Sequence, residues 1–226
     1  MRAMILAAGR GKRMRPLTDT TPKPLLRVGG QPLIVWHIKR LVAAGINHII
    51  INHAWLGEQI ISALGNGQQY GAQLHYSAES TALETAGGIR QALPFFQDQP
   101  FLVINGDIWC DWDAREALDA ASRLRQCQAL AWLLVVDNPD HNPDGDFLFP
   151  ALCPHKLTFS GIGVYQPALF AGLPARRALP LAPLLHQAHK DGQLLGAFHA
   201  GQWTDVGTPA RLEQLDNGLA RLPDAR

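Results

Sequence analysis

Two sets of charged residues stand where phosphate chemistry could use them. The stretch LAAGRGKRMRPLTDTTPKPLL, residues 6–26, sets Arg13 and Lys23 among glycines and prolines directly after an apolar run. Gly9 and Gly11 let backbone N–H groups converge on anionic oxygens. Arg13 and Lys23 would neutralise the charge a triphosphate brings, Arg13 through two parallel hydrogen bonds. Far along the chain, Asp107 follows Gly106 at the end of the apolar run FLVIN, and Asp205 lies in WTDVGTP. Mg²⁺ takes one or two carboxylates alongside phosphate oxygens and waters, so this pair suits a metal-bound triphosphate. The two stand so far apart that only the fold can join them.

Other phosphate motifs fail on spacing. A P-loop needs G-x-x-x-x-G-K-[ST], which does not follow Gly9, and the dinucleotide fingerprint G-x-G-x-x-G meets Met14 at its third glycine. Nothing marks a covalent mechanism: there is no G-x-S-x-G elbow. The nine histidines include no H-x-x-x-H pair, and His186 and His189 lack a third ligand.

The elements that must hold these residues alternate. RAMILAA (2–8), NHIII, AQLHYS, FLVIN, ALAWLLVV, LTFSGIGVY and QLLGAFHA read as strands. PLIVWHIKRLVAAG, LGEQIISALG, TAGGIRQALPFF, DAREALDAASRLR, LAPLLHQAHKDG and TPARLEQLDNGLARL read as helices, with Pro in the first turn or Gly at the stop of several. Residues 137–156, rich in Pro, Asp and Asn, read as a loop or short hairpin. Alternation of this kind implies an α/β fold, a Rossmann-like three-layer sandwich with a mostly parallel mixed sheet. Ligands of such sheets sit beyond the carboxyl ends of the strands, where both the basic loop and Asp107 fall.

Bulk numbers narrow the partners. The chain has 226 residues, 47 % apolar and 17 % charged, which fits one domain over 1–226. A net charge of +1 speaks against a nucleic-acid partner, and no stretch is long and apolar enough for a membrane span. Three cysteines without metal-like spacing suit reduced thiols in the cytoplasm.

The opening stretch resembles the signature of the sugar-phosphate nucleotidyltransferases, approximately L-A-A-G-x-G-x-R-x-x-P-x-T-x-x-x-P-K-x-L, at every defined position. LETAGGI (83–89), VINGDI (103–108), TFSGIGVY (158–165) and WTDVGTP (203–209) continue the likeness in the family's order. The resemblance implies a reaction: an oxygen of a sugar 1-phosphate attacks the α-phosphorus of a nucleoside triphosphate and pyrophosphate leaves. It also implies a nucleotide-binding part over 1–136 and a sugar-binding part with a closing helix over 137–226. It implies that Asp107 and Asp205 hold Mg²⁺ and that Arg13 and Lys23 are the catalytic cations. The nucleotide is expected on Ala7, Ala8, Gly9, Gly11, Arg13, Lys23, Ala82, Thr85 and Asp107, with Leu83 alongside and Glu79 at the base edge. The sugar is expected at Glu84, Asn105 and Gly161. Short length and the NGDI, FSGIGVY and W-x-D-V-GTP blocks look most like the uridylyltransferases that join UTP to N-acetylmuramate 1-phosphate in cell-wall recycling. Mannose-1-phosphate guanylyltransferases, or a silent paralogue that only binds a nucleotide sugar, are the other readings. One departure stands out: many relatives carry E-K-P before the sugar strand, where this chain has GDFLFPALCPHKLTFSG, with Lys156 as the nearest cation.

Overall fold

The computed structural model of the chain describes residues 1–220. The first apolar run forms β1 (Ala3–Leu6), and the basic stretch folds as short 3-10 turns around α1 (Leu17–Thr20). A small ribbon, β2 (Arg27–Val28) with β3 (Gln31–Pro32), leads into α2 (Leu33–Ala43). Then follow β4 (His48–His53), α3 (Gly57–Leu64), β5 (Gln73–Ala78), α4 (Glu84–Ala92) and β6 (Phe101–Asn105). The expected helix through Phe96 becomes 3-10 after Ala92, because Pro94 cannot donate to the α-helical ladder.

Next come β7 (Ile108–Cys110), α5 (Glu116–Gln126), β8 (Ala131–Val136), β9 (Phe147–Leu148) and β10 (Lys156–Tyr165). The chain closes with α6 (Ala168–Ala171), α7 (Ala182–Lys190), β11 (Leu194–Phe198), β12 (Trp203–Asp205) and α8 (Pro209–Leu219). The last residues expected in the closing helix lie outside the described residues.

The main sheet runs β11-β8-β10-β6-β1-β4-β5, with β9 paired to β10. Strands β6, β1, β4 and β5 are mutually parallel, and β11 is parallel to β8. β10 runs antiparallel to both β6 and β8. No helix intervenes between β8 and β10; the chain turns back through β9, and the pair is antiparallel.

Period-2 alternation builds the three layers. Ala3, Ile5, Ile49, Ile51, Leu102 and Ile104 face one core with α2, α3 and α5. Met4, Ile50, Phe101 and Val103 face the other, with α4 and α7. A third cluster matters most for position: Met14, Leu26, Val28, Leu33, Trp109, Val206, Leu215 and Leu219 pack the basic loop and α8 against a ribbon of β7 and β12. That ribbon is absent from the sequence reading, since three-residue strands leave no periodic pattern.

His37 on α2 ties the ribbon down. Its buried Nε2–H donates to the Ile108 carbonyl at 2.9 Å. Burial, helped by the nearby Arg40 charge, pushes its pKa down from 6.5 to about 4, so the ring is neutral. The unfolded chain takes up this proton below 6.5 and the folded chain only near 4. Stability therefore falls as pH drops through that window, by about 2 kcal/mol between pH 6.5 and 5. Urea unfolding at the two pH values is expected to show this loss, and His37→Gln, which keeps a donor, is expected to flatten it. Equal pH slopes in the two proteins would show that His37 is not the group responsible.

Candidate active site

The carboxyl ends of β6, β1 and β4 share one register line, since Leu6 pairs with both Asn105 and Asn52. A cavity of about 470 Å³ opens beyond them. Chain order reverses between β1 and β6, which is where open α/β sheets hold ligands. Ala7, Ala8, Gly9, Gly11, Arg13, Lys23, Ala82, Glu84, Thr85, Asn105 and Asp107 all line it. So do Lys12, Pro24 and Asn52, which the sequence did not single out.

The basic loop carries backbone donors without partners. The amides of Ala8, Gly9, Arg10 and Gly11 meet no acceptor among the described residues. Gly11 sits at φ +65°, and its carbonyl accepts from Met14 N–H at 2.9 Å and from the Thr18 hydroxyl at 2.8 Å. Arg10 is spoken for: it pairs with Asp19 at 2.7 Å and lies 3.9 Å over the Trp55 ring. Arg13 is exposed on the cavity wall. Lys23 is 8 % exposed, fixed between Pro22 and Pro24, and donates to Asp107 Oδ2 at 2.7 Å. A buried ammonium beside a carboxylate, next to unpaired amides, is an arrangement for holding polyanionic oxygens.

The opposite wall hangs on a relay. Ala7 N–H donates to Asn52 Oδ1 at 2.9 Å, Asn52 Nδ2 donates to Glu79 Oε1 at 2.7 Å, and Leu83 N–H donates to Glu79 Oε2 at 2.8 Å. Glu79 therefore does not reach out to a base edge, because both of its oxygens are taken by the protein. It joins the first turn to the segment 82–85 instead. The relay also explains one glycine of LETAGG: a Cβ on Gly88 would lie 2.7 Å from Glu79 Oε1 and 2.9 Å from Asn52 Nδ2. Glu84 begins α4 in the left-handed region, at φ +56°, a strain of about 1 kcal/mol for a residue with a Cβ. Its position on the cavity wall is where such strain is commonly found.

Gly161 stands behind the cavity rather than on it. It lies in a bulge of β10 at φ +87°, where a Cβ would meet Asn105 Nδ2 at 2.7 Å. Its bareness makes room for Asn105, which does line the cavity. Lys156 is exposed at the start of β10, opposite Leu148, and lines neither this cavity nor its neighbour. Asp111 accepts from His199 Nε2 at 2.7 Å, and Asp113 Oδ1 accepts from the Arg115 amide at 2.9 Å.

The ribbon brings the two distant aspartates together. Asp205 pairs with Ile108, and Val206 N–H donates to the Asp107 carbonyl at 2.9 Å. Asp107 faces the cavity just described; Asp205 faces a neighbouring one of about 710 Å³ with His141 and Arg211. Gly207 borders the first cavity and lies against Asp205 Oδ1. In each carboxylate Oδ2 is ion-paired, with Lys23 or Arg211, and Oδ1 accepts no hydrogen bond from the described residues. Hard oxygen donors of this kind fit a divalent cation of the Mg²⁺ class.

Comparisons with known proteins agree with this geometry. Residues 2–144 match the family model described as nucleotidyl transferase. An N-acetylmuramate alpha-1-phosphate uridylyltransferase of Neisseria meningitidis serogroup B is 53 % identical over 223 residues, 95 % of this chain and 96 % of that protein. A mannose-1-phosphate guanyltransferase of Aspergillus oryzae is 30 % identical over 224 residues, covering 92 % of this chain and 61 % of its own length. Among solved structures, a putative glucose-1-phosphate thymidylyltransferase from Bacillus anthracis, in complex with a sucrose, superposes with a TM-score of 0.85. It is 25 % identical and covers 98 % of this chain and 96 % of that one.

The relay makes a test of the wall expected to hold the nucleotide. Glu79→Ala strands the Asn52 amide and the Leu83 N–H, and is expected to cost about 1–3 kcal/mol of stability. Its KM for nucleotide should rise several-fold while the KM for the second substrate stays put. Equal rises in both constants would remove the relay from the nucleotide side.

Proposed function

We propose that this chain, which belongs to the nucleotidyl transferase family, condenses UTP with N-acetylmuramate 1-phosphate to the UDP-sugar and pyrophosphate. The single observation behind the chemistry is the meeting, in one cavity, of the unpaired amides of Ala8, Gly9 and Gly11 with the Lys23–Asp107 pair. The substrates follow the Neisseria relative, which resembles this chain over nearly the full length of both.

The chemistry asks for neutralisation and alignment. A phosphate monoester is already a nucleophile near neutral pH, so no general base is needed. One of its oxygens forms the new bond to the α-phosphorus of UTP. The bond from that phosphorus to the β-phosphate oxygen breaks, and pyrophosphate departs with the electron pair. The amides of Ala8 to Gly11 and the Arg13 guanidinium would hold the β- and γ-phosphates and receive the charge of the leaving group. Lys23 would bridge the α-phosphate and the incoming phosphate, two groups that repel each other without a cation between them. Ala82 and Thr85 would bound the base, with Glu84 and Asn105 donating to or accepting from sugar hydroxyls. Asp107 and Asp205 would hold Mg²⁺, which when bound supplies charge neutralisation to the triphosphate.

On this reading the part up to residue 136 serves the nucleotide and the part from 137 the sugar and the closing helix. Among the described residues no helix is long and apolar enough to cross a membrane, and the three cysteines are free thiols. Both fit work in the cytoplasm, on sugars recovered from the cell wall.

Pyrophosphate release, measured for the four nucleoside triphosphates against the 1-phosphates of N-acetylmuramate, glucosamine and mannose, tests the assignment. UTP with N-acetylmuramate 1-phosphate is expected to give the highest kcat/KM. GTP with mannose 1-phosphate in first place would replace it with the guanylyltransferase reading. Lys23→Met is expected to lower kcat by about 10²–10³ with an unchanged unfolding transition; an unaltered rate would take Lys23 out of the mechanism.

A further inference from the structure

We infer that Arg211 and His141 are positioning residues for Asp205: they clamp one oxygen of its carboxylate and leave the other for the metal. The inference rests on the two-carboxylate reading above and adds the device that aims one of the pair.

Arg211 Nη1 donates to Asp205 Oδ2 at 2.7 Å, and His141 Nε2 lies 3.1 Å from the same oxygen. Arg211 Nη1 is also 3.1 Å from the His141 ring, which closes a three-membered cluster. Side-chain exposures of 22 % for Arg211 and 20 % for Asp205 set that pair apart from the exposed ion pairs that contribute little, while His141 is 40 % exposed. Asp205 Oδ1, by contrast, accepts from no described residue and lies 3.0 Å from where Gly207 would carry a Cβ. Gly207 borders the first cavity, so Oδ1 lies beside a residue of that wall, although Asp205 itself lines the neighbouring cavity. The same missing Cβ would sit 2.6 Å from Arg211 Nη2, so Gly207 gives the guanidinium its seat.

The three members come from three segments. Asp205 ends β12, Arg211 stands in the first turn of α8, and His141 belongs to the loop after β8. That loop is itself anchored to β10: Asn138 Oδ1 accepts from the Thr158 hydroxyl at 2.8 Å, and Asp146 Oδ2 from Phe159 N–H at 2.8 Å. The clamp therefore links the loop between β8 and β10 to the metal end of the site. A carboxylate whose rotamer is fixed before the cation arrives loses less entropy on binding it.

Manganese binding, read by electron paramagnetic resonance with a UTP analogue carrying an imido bridge between the α- and β-phosphates, tests this apart from turnover. Arg211→Met is expected to weaken Mn²⁺ binding at least fivefold and to raise the metal concentration for half-maximal rate in step. Arg211→Lys, which restores one donor to Oδ2, should recover most of both. His141→Ala, on the loop, should weaken binding two- to threefold and serves as the readout if Arg211→Met does not fold. Binding in Arg211→Met as tight as wild type or tighter, with Asp205→Asn impaired, would overturn the clamp and leave Asp205 a ligand that needs no positioning. Wild-type binding in Asp205→Asn would overturn the two-carboxylate reading itself.

Discussion

The register of the three-residue ribbon between β7 and β12 governs the rest of the site. It sets Asp205 opposite Ile108, one residue from Asp107, and so joins the two ends of the chain's chemistry. Slipping this pairing by one residue would turn every side chain of β12 to the other face. So short a ribbon has little pairing energy of its own. It is held by burial: Trp109 and Val206 lie in the cluster with Met14, Leu33 and Leu215, and His37 bonds the Ile108 carbonyl. Closing helix, basic loop and ribbon thus stabilise one another, and the charged groups ride on an apolar contact made beneath them.

Above that base, like and unlike charges are balanced without a ligand. Lys23 neutralises Asp107 and Arg211 neutralises Asp205. Binding of a triphosphate with its cation would exchange these pairs rather than create charge in a dry cavity, which limits the desolvation cost. Specific binding energy would then come from amides that have no internal partner, at the turn after β1. The Asn52–Glu79 relay fixes that turn relative to the start of α4, so the two walls of the cavity keep their spacing.

Much of this was legible in the sequence, for identifiable reasons. Strands such as FLVIN and ALAWLLVV declare themselves because both faces are buried, and α2 because Pro32 and Gly45 bracket an apolar stripe. The site residues before β2 were legible because glycine, proline and cation types recur at fixed spacing in one stretch. Four things were not. The β7–β12 ribbon is too short for a periodic pattern. Asn52 is a polar residue inside an apolar strand, and its partner Glu79, expected at a base edge, spends both oxygens on the protein. Gly161 was read as a gap for a ligand, whereas the space belongs to Asn105. Arg211 and His141 are ordinary types in ordinary segments, and only their meeting at Asp205 marks them.

The account stands on one spatial claim, that Asp107, Asp205 and the turn after β1 surround a single metal-bound triphosphate. Anomalous scattering from Mn²⁺, in crystals of the protein grown with the imido-bridged UTP analogue, locates the cation directly. The account expects a Mn²⁺ peak in coordinating contact with Asp107 Oδ1 and Asp205 Oδ1, and the triphosphate against the amides of Ala8 to Gly11. A cation bound elsewhere, or a triphosphate that leaves those amides untouched, would contradict it.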